Sequence, residues 1–440
     1  MKRIGVLLII IALLVGTLGC PAAAPQYELS ISSSAGGEVT TPGEGAFTHE
    51  EGTTIGLVAE AEEGYRFVDW TGDAGTIANV NDASTTITMD GNYSITANFV
   101  AVYSLSLSSA EGGSVTTPGQ GTFSYDEGTV VGLVVAADVG YRFLHWIGDV
   151  ASIADIDAAS TTITMDGHYS IAAGFEAEEA VFFADPNLDA AIREAIDVPE
   201  RPIYLSDLEG LTELSASGMD IDDLSGLEYA KNLAVLNLER NQISDISPLA
   251  NLTSLRWLDL YRNQIGDISP LANLTNLTCL HLPYNQIDDI SPLADLTKLT
   301  GLYLGANLVG DISPLANLTN LTELEFCCNQ LGDSDLLHLA NLTNLTGLYI
   351  SSNEISDISP LSSLANLTDL DLWNNQLSDI SPLANLARLN KLHLQHNQIC
   401  DISPLANLTR LGELWLDGNQ IDDVTSLANL TALTGLSLAG

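Results

Sequence analysis

The 440-residue chain is long enough for several domains, and its charge is strongly acidic. It contains 57 Asp and Glu residues against 14 Lys and Arg residues, for a formal net charge of −43. Such a chain repels phosphate backbones and anionic lipid headgroups, so the composition argues against nucleic acid as a partner. With 46% hydrophobic and 16% charged residues, the chain is expected to fold rather than remain disordered.

The first twenty residues, MKRIGVLLIIIALLVGTLGC, predict an export signal. Two basic residues precede an apolar stretch, 4–18, that is shorter than the about 20 residues of a membrane span. Its end, LGC, resembles the bacterial lipobox, in which the cysteine, here Cys20, is lipidated and becomes the new N-terminus. Thr17 departs from that pattern. The resemblance implies a lipid anchor at the cell envelope or cell surface, with a cleaved signal or a retained anchor as alternatives, and residues 21–26 as a tether.

Residues 27–99 and 103–175 are two copies of one sequence at an offset of 76 residues. Each copy contains short runs of alternating apolar and polar residues, separated by Gly-Gly, Pro-Gly and Asp-Gly turn sequences. The pattern predicts two small, mostly antiparallel β modules, 27–100 and 101–176. The segment MDGNY, 89–93, is expected to form a hairpin turn.

The copies share the sequence G-Y-x-F-x-x-W-x-G-D, which contains Trp70 in the first and Trp146 in the second. Both copies resemble the divergent B-repeat modules of internalin-like bacterial surface proteins. The resemblance implies a grasp-like β-sheet in each module. We expect the modules to act as a stalk that holds the rest of the chain away from the cell. Both tryptophans are expected in the module cores, and a carbohydrate-stacking platform is the alternative.

Residues 185–197, DPNLDAAIREAID, predict the clearest helix of the chain. Asp185 is a suitable N-cap, Pro186 fits the first turn, and Leu188, Ala191 and Ile192 form one apolar face. The helix comes just before the leucine-rich region, where the open end of a solenoid needs a polar cover. We therefore expect residues 177–202 to form a linker and a helical cap.

From residue 203 to 440, leucines recur with a period of 22 residues. An Asn closes the LxxLxLxxNxI motif at 241, 263, 285, 307, 329, 353, 375, 397 and 419, with one interval of 24 residues, from 329 to 353, and Met219 holds that position in an earlier copy. This spacing predicts leucines in a narrow core, one short parallel strand per turn, and a ladder of Asn side chains bonded to the backbone of the bends. On the opposite side, DISPLANLT predicts a short helical or 3₁₀ turn with Ser247 as N-cap and Pro248 as its first residue. Asp245 and its counterparts are expected to bond to the backbone beside that turn, with Ca²⁺ binding as the alternative.

These motifs closely resemble the 22-residue leucine-rich repeat of internalin-type bacterial surface proteins, over residues 185–440. The resemblance implies a right-handed solenoid with an N-terminal helical cap, whose concave face binds partner proteins. The chain stops at LTGLSLAG, within a predicted strand, so we expect the natural protein to continue.

The residues that vary between repeats occupy equivalent positions of successive strands, on the predicted concave face. Aromatic, acidic and His side chains there suit recognition of a protein or a glycan. The candidate ligand-binding residues are Trp257, Asp259, Tyr261, His281, Tyr284, Tyr303, Glu325, Tyr349, Asp371, Trp373, His393 and Trp415.

No motif for a catalytic nucleophile, a zinc site or a cofactor is present in the sequence. His281 and His393 are five predicted turns apart, about 24 Å by the strand spacing, so they cannot share a metal ion. We therefore expect no enzyme, metal or cofactor. The predicted function is that of a surface-anchored binding or adhesion protein. The alternatives are a purely structural component of a surface layer and the N-terminal part of a longer protein.

Overall fold

The computed structural model of the chain describes residues 23–439, so the expected export signal and Cys20 lie outside the described residues. The chain divides into two compact units between Ala177 and Glu178. No helix in the described range is long and apolar enough to cross a membrane.

The first unit contains both β modules. The strands of the first module are β1 Gln26–Ser33, β2 Gly37–Thr41, β3 Gly45–Glu50, β4 Thr54–Ala61, β5 Tyr65–Gly72, β6 Ser84–Thr88 and the first half of β7 Tyr93–Ser109. The second module uses the other half of β7 and then β8 Gly113–Thr117, β9 Gly121–Asp126, β10 Val130–Ala137, β11 Tyr141–Gly148, β12 Ser160–Thr164 and β13 Tyr169–Ala177. The structure contains a 3₁₀ turn, Ala74–Thr76, but no α-helix between residues 23 and 177.

Each module consists of a four-stranded mixed sheet and a three-stranded antiparallel sheet. The order is β3-β1-β7-β5 with β2-β4-β6 in the first module, and β9-β7-β13-β11 with β8-β10-β12 in the second. The central pair of each mixed sheet, β1 with β7 and β7 with β13, is parallel, and the other pairs are antiparallel. The prediction of a hairpin at 89–93 is wrong, because the strands it joins, β6 and β7, lie in different sheets.

Both module tryptophans lie in the core, as predicted. Trp70 is 2% exposed and Trp146 is 1% exposed. Each indole Nε1–H donates to a backbone carbonyl, of Asp82 and of Ala158, at 3.1 Å in both cases. Because their rings are enclosed, these side chains cannot act as carbohydrate-stacking platforms.

The second unit begins with a short flanking region. It contains β14 Ala180–Val181, helix α1 Pro186–Ile196, β15 Ile203–Tyr204, which pairs with β14, and helix α2 Leu205–Leu208. The predicted helix and its N-cap are confirmed, because the Asp185 side chain accepts hydrogen bonds from the N–H groups of Asn187 and Leu188. The apolar side of α1 is buried in the same core as the leucines of the first repeats.

A single parallel sheet of eleven three-residue strands forms the solenoid within the described residues. The strands are β16 Glu213–Ser215, β17 Val235–Asn237, β18 Trp257–Asp259, β19 Cys279–His281, β20 Gly301–Tyr303, β21 Glu323–Glu325, β22 Gly347–Tyr349, β23 Asp369–Asp371, β24 Lys391–His393, β25 Glu413–Trp415 and β26 Gly435–Ser437. On the other side run 3₁₀ turns, at Leu227–Tyr229, Ser247–Leu249, Ser269–Asn273, Ser291–Leu293, Ser313–Asn317, Asp335–Leu339, Ser359–Ser363, Ser381–Asn385, Ser403–Asn407 and Thr425–Asn429.

The predicted Asn ladder is confirmed at the bends. The Asn263 side chain accepts from the Ile243 N–H at 3.0 Å and donates to the carbonyls of Leu238 at 3.0 Å and Leu260 at 3.1 Å. Since Leu238 and Ile243 belong to the preceding repeat, each Asn joins two successive repeats.

In the outer turns, the prediction that Asp245 bonds to the backbone is confirmed, and the prediction that Ser247 is the N-cap is wrong. Asp245 accepts from the Ser247 backbone N–H at 2.8 Å and from its hydroxyl at 3.0 Å. Ser247 is therefore not the N-cap. The N-cap is Ile246, and Ser247 is the first residue of the 3₁₀ turn, so the prediction that Pro248 is its first residue is also wrong. The Ser247 hydroxyl donates to Asp245 instead of accepting from the turn.

Candidate ligand-binding face

The strands bring eight of the candidate residues into one continuous row. In strands β16 to β25 the middle leucine is buried, so the flanking side chains point away from the core. The strands pair in register, which places the third residue of one strand beside that of the next. We call this set the central row: Asp259, His281, Tyr303, Glu325, Tyr349, Asp371, His393 and Trp415.

The other four candidates flank this row. Trp257 is the first residue of β18, while Tyr261 and Trp373 each lie two residues beyond a strand. Tyr284 lies in a bend, where its φ of 58° and its 54% exposure set it apart from the strand residues. Its ring meets that of Tyr261 edge to face, with centroids 5.4 Å apart.

Aromatic rings pack closely at the N-terminal end of the face. The His281 ring is stacked on Tyr303, with centroids 4.3 Å apart and planes 16° from parallel, and lies 5.8 Å from Trp257 on its other side. The Cys279 Sγ atom lies 3.2 Å from His281 Nε2. Burial raises the pKa of the Cys279 thiol, so this pair lacks the activated thiolate that nucleophilic catalysis needs.

Partial burial favours the neutral forms of the neighbouring charged groups. Asp259 is 8% exposed, and this burial, with Glu239 nearby, raises the pKa of its carboxyl even though it accepts from the Tyr261 N–H at 2.8 Å. Burial likewise lowers the pKa of His281, against the attraction of Asp259. The N-terminal part of the face therefore combines aromatic rings with two titratable groups whose charged forms are disfavoured by burial.

The middle of the face is acidic. Burial, and then the charge of Asp371, raise the pKa of Glu325. Burial and the nearby carboxylates of Glu323 and Asp369 raise the pKa of Tyr349 to about 12, so its hydroxyl remains a hydrogen-bond donor at neutral pH. Burial raises the pKa of Cys327 to about 11. These groups suit hydrogen bonding to a ligand rather than nucleophilic attack.

Exposed tryptophans mark the C-terminal end. Trp373 is 40% exposed and Trp415 is 37% exposed. Each is braced edge to face by a histidine, Trp373 by His396 at 6.2 Å and Trp415 by His393 at 6.0 Å between centroids. Two buried polar atoms, His393 Nε2 and Gln395 Oε1, have no hydrogen-bond partner in the described part of the chain.

Sequence reasoning missed three cations in the C-terminal repeats of the solenoid. Arg388, Lys391 and Arg410 line one groove at the start of strands β23 to β25. Their concentration within 23 positions of a chain that has only 14 basic residues was the available indication. Among residues 23–439, no group of three or more His, Cys, Asp or Glu side chains is arranged to hold a metal ion.

The fold and this face define a leucine-rich-repeat protein whose solenoid follows two β modules. The sequence model of the divergent InlB B-repeat domain matches residues 27–102 and 103–179. The model of leucine-rich repeats in two copies matches six overlapping segments from residue 253 to residue 429. No curated protein matches this chain in sequence.

Among solved structures, internalin InlF of Listeria monocytogenes is 35% identical, with 59% of this chain and 96% of that chain covered and a TM-score of 0.40. Internalin InlC2 of the same organism is 34% identical, with 59% and 95% covered and a TM-score of 0.35. The two family models and these sequence identities show that the chain belongs to the internalin-like proteins. Such proteins are typically surface or secreted proteins that act in adhesion or binding, and the matched domains are binding domains rather than enzymes.

Proposed function

We propose that this protein is an adhesion or binding protein of the bacterial cell surface. The concave face of the solenoid binds a protein or glycan ligand, and the two β modules act as the stalk. The chain is exported and held at the membrane through lipid on Cys20. The alternatives are a structural component of the surface layer and the presenting part of a longer protein.

One observation carries this proposal, namely the contrast between the constant scaffold and the central row. The leucines and the bend asparagines make matching contacts in successive repeats. The outer Asp-Ser pairs also recur, except that Asp333 bonds to Ser356 of the next turn and Asp423 bonds to Thr425. In the central row, by contrast, neighbouring repeats carry different side chains, most of them partly exposed, and the rings of His281 and Tyr303 and of His393 and Trp415 contact each other across strands. Aromatic groups combined with hydrogen-bonding groups are the composition of binding hot spots.

The test uses the whole protein on protein and glycan arrays, in wild-type form and as the triple variant Tyr349→Ala/Trp373→Ala/Trp415→Ala. We expect the triple variant to lose the binding that the wild type shows. A matched control, Phe182→Ala/Tyr229→Ala, removes two aromatics that are 79% and 45% exposed but lie outside the face. Equal binding by the wild type and the triple variant would favour the structural alternative.

The anchor is tested separately by feeding cells a labelled fatty acid. Wild-type protein should incorporate the label and remain with the membrane fraction, whereas Cys20→Ser should do neither. Incorporation by the Cys20→Ser variant would rule out this cysteine as the lipid site and leave the binding proposal unaffected.

A further inference from the structure

Basic side chains are rare in this chain, and three of them lie together. Arg388, Lys391 and Arg410 line a shallow groove of about 690 Å³ at the edge of the concave face, together with Thr368, Asp369, Asn390, Thr409 and Ala432. Its size lies within the about 300–1,000 Å³ of small-ligand sites. All three cations are exposed.

The repeat geometry keeps the two guanidinium groups close. Arg388 and Arg410 occupy the same position in successive repeats, so their backbones are about 5 Å apart. Arg388 donates to Asn366 Oδ1 at 2.7 Å, and Lys391 Nζ lies 3.6 Å from Asp369. Arg410 makes no side-chain hydrogen bond or ion pair with the residues that the structure describes. At least one cation is therefore available to an anionic group.

The groove continues into the aromatic end of the central row. Lys391 and His393 flank one buried leucine in β24, so their side chains emerge on the same side, about 7 Å apart along the strand. His393 in turn contacts Trp415 in the next strand. The unpartnered atoms His393 Nε2 and Gln395 Oε1 lie in this same region. Both atoms are buried, so a ligand that extends from the groove along β24 contacts the cations and then the indole ring of Trp415.

The carboxylates around the groove decide what kind of anion fits. Asp369, Asp371 and Glu413 lie on the strands beside Lys391, so they offset the charge of the three cations. A polyanion is repelled by these carboxylates. A sugar is not, because its hydroxyl groups donate hydrogen bonds to carboxylates, while its ring can lie against an indole face.

We propose, on the basis of the function above, that this end of the concave face binds an oligosaccharide carrying a single acidic group. The acidic group lies on Arg410 and Arg388, neutral hydroxyls donate to Asp369 and Asp371, and a sugar ring contacts Trp415. An acidic peptide and a polysulfated chain are the competing ligands that the experiment distinguishes.

The experiment measures the affinity of the whole protein at 0.15 M salt for matched probes. Two pairs are sialyllactose with lactose and cellobiouronic acid, which has one carboxyl group, with its methyl ester, and the competitors are a heparin tetrasaccharide and an oligoglutamate peptide. The variants are Arg388→Ala/Arg410→Ala and the control Arg256→Ala/Lys298→Ala. Lys298 holds the position of Arg388 four repeats earlier and, like it, donates to an Asn of the preceding repeat, at 2.7 Å. Four repeats are about 19 Å by the strand spacing, beyond the about 8 Å Debye length.

We expect the acidic member of at least one pair to bind ten times more tightly than its neutral partner. Arg388→Ala/Arg410→Ala should abolish that preference, and the control variant should stay within twofold of the wild type. The inference is overturned if no pair shows the preference, if the groove variant keeps it, if both variants lose it equally, or if heparin or oligoglutamate binds more tightly than every acidic sugar.

The proposed function is tested separately from the acidic-sugar assignment. If the triple aromatic variant retains all binding found on the arrays, binding by the concave face is refuted. If that variant loses binding while the groove variant retains it, the function stands and only the acidic-sugar assignment fails.

Discussion

Replacement of a single bend asparagine measures how much the ladder contributes to solenoid stability. Asn307 is 6% exposed, accepts from the Ile287 N–H at 3.0 Å, and donates to the carbonyls of Leu282 and Leu304, both at 3.0 Å. The substitution Asn307→Ala removes these three bonds and a longer one to the Gly305 carbonyl, at 3.3 Å, without changing the leucine core.

The expected loss of stability depends on the hydrogen bonds that the neighbouring asparagines, Asn285 and Asn329, retain in the variant. The Leu282 carbonyl also accepts from Asn285, at 2.9 Å, and the Leu304 carbonyl also accepts from Asn329, at 2.9 Å, so each keeps one bond in the variant. The Gly305 carbonyl likewise keeps its bond from the Tyr284 N–H, at 2.8 Å. Only the Ile287 N–H is left buried without a partner. One orphaned donor costs about 1–3 kcal/mol, and with three lost bonds to carbonyls that keep another partner we expect a total of about 2–4 kcal/mol.

A matched control is available in the same repeat array. The exposed Asn320 makes a single side-chain bond, to the Thr297 carbonyl at 2.8 Å, so Asn320→Ala should cost about 1 kcal/mol or less. Urea unfolding followed by far-ultraviolet circular dichroism gives both values, and hydrogen exchange of the Ile287 amide should accelerate only in Asn307→Ala. Equal destabilisation by the two substitutions would refute the reasoning.

Three further predictions test the modules and the face. Trp146→Ala should lower the free energy of unfolding of its module by about 3–5 kcal/mol, whereas Trp373→Ala should change stability by about 0.5 kcal/mol or less; equal shifts in thermal unfolding would contradict the assigned burial. Because burial raises the pKa of Glu325, its ionisation opposes folding, so Glu325→Gln should stabilise the protein at pH 7. That gain should vanish as the pH falls below about 4.3, where the unfolded side chain is also neutral, and an undiminished gain at pH 3 in urea unfolding would count against it. With a pKa of about 11, Cys327 is about 0.1% thiolate at pH 8, so iodoacetamide should label it about a hundredfold more slowly than the exposed Cys400, as mass spectrometry of timed samples can show; comparable rates would contradict this.

The periodicity of the sequence predicts most of the solenoid fold because each repeated residue position has one structural role. The repeat spacing predicts that the position of Leu258 lies in the core and that the position of Asp259 lies on the exposed face of the sheet. It also identifies Asn263 as the residue that bonds the bend. The start of the helix at Asp185 could also be predicted from the sequence, because an N-cap side chain bonds only to the first backbone N–H groups of its own helix.

Features that depend on long-range pairing or on competition between side chains could not be read in this way. The sequence at 89–93 has turn residues, but turn residues do not specify which sheet the next strand joins. Ser247 matches an N-cap pattern, but its own backbone N–H and hydroxyl both donate to the Asp245 carboxylate, and the 3₁₀ turn begins at Ser247. The groove cations Arg388 and Arg410 become neighbours only through stacking of the repeats.

Because strand β7 runs through both β modules, the number of residues between equivalent positions of the two modules has to be even. Along this one strand the buried residues are Ile95, Ala97 and Ala101 in the first module and then Leu105 and Leu107 in the second, all at odd positions. Because side chains alternate between the two faces of a strand, insertion of one residue at the junction would turn every core residue of the second module toward the opposite face. Insertion of two residues would preserve the faces. Duplication of such a module therefore succeeds only when the copied length is even, as the 76-residue offset is.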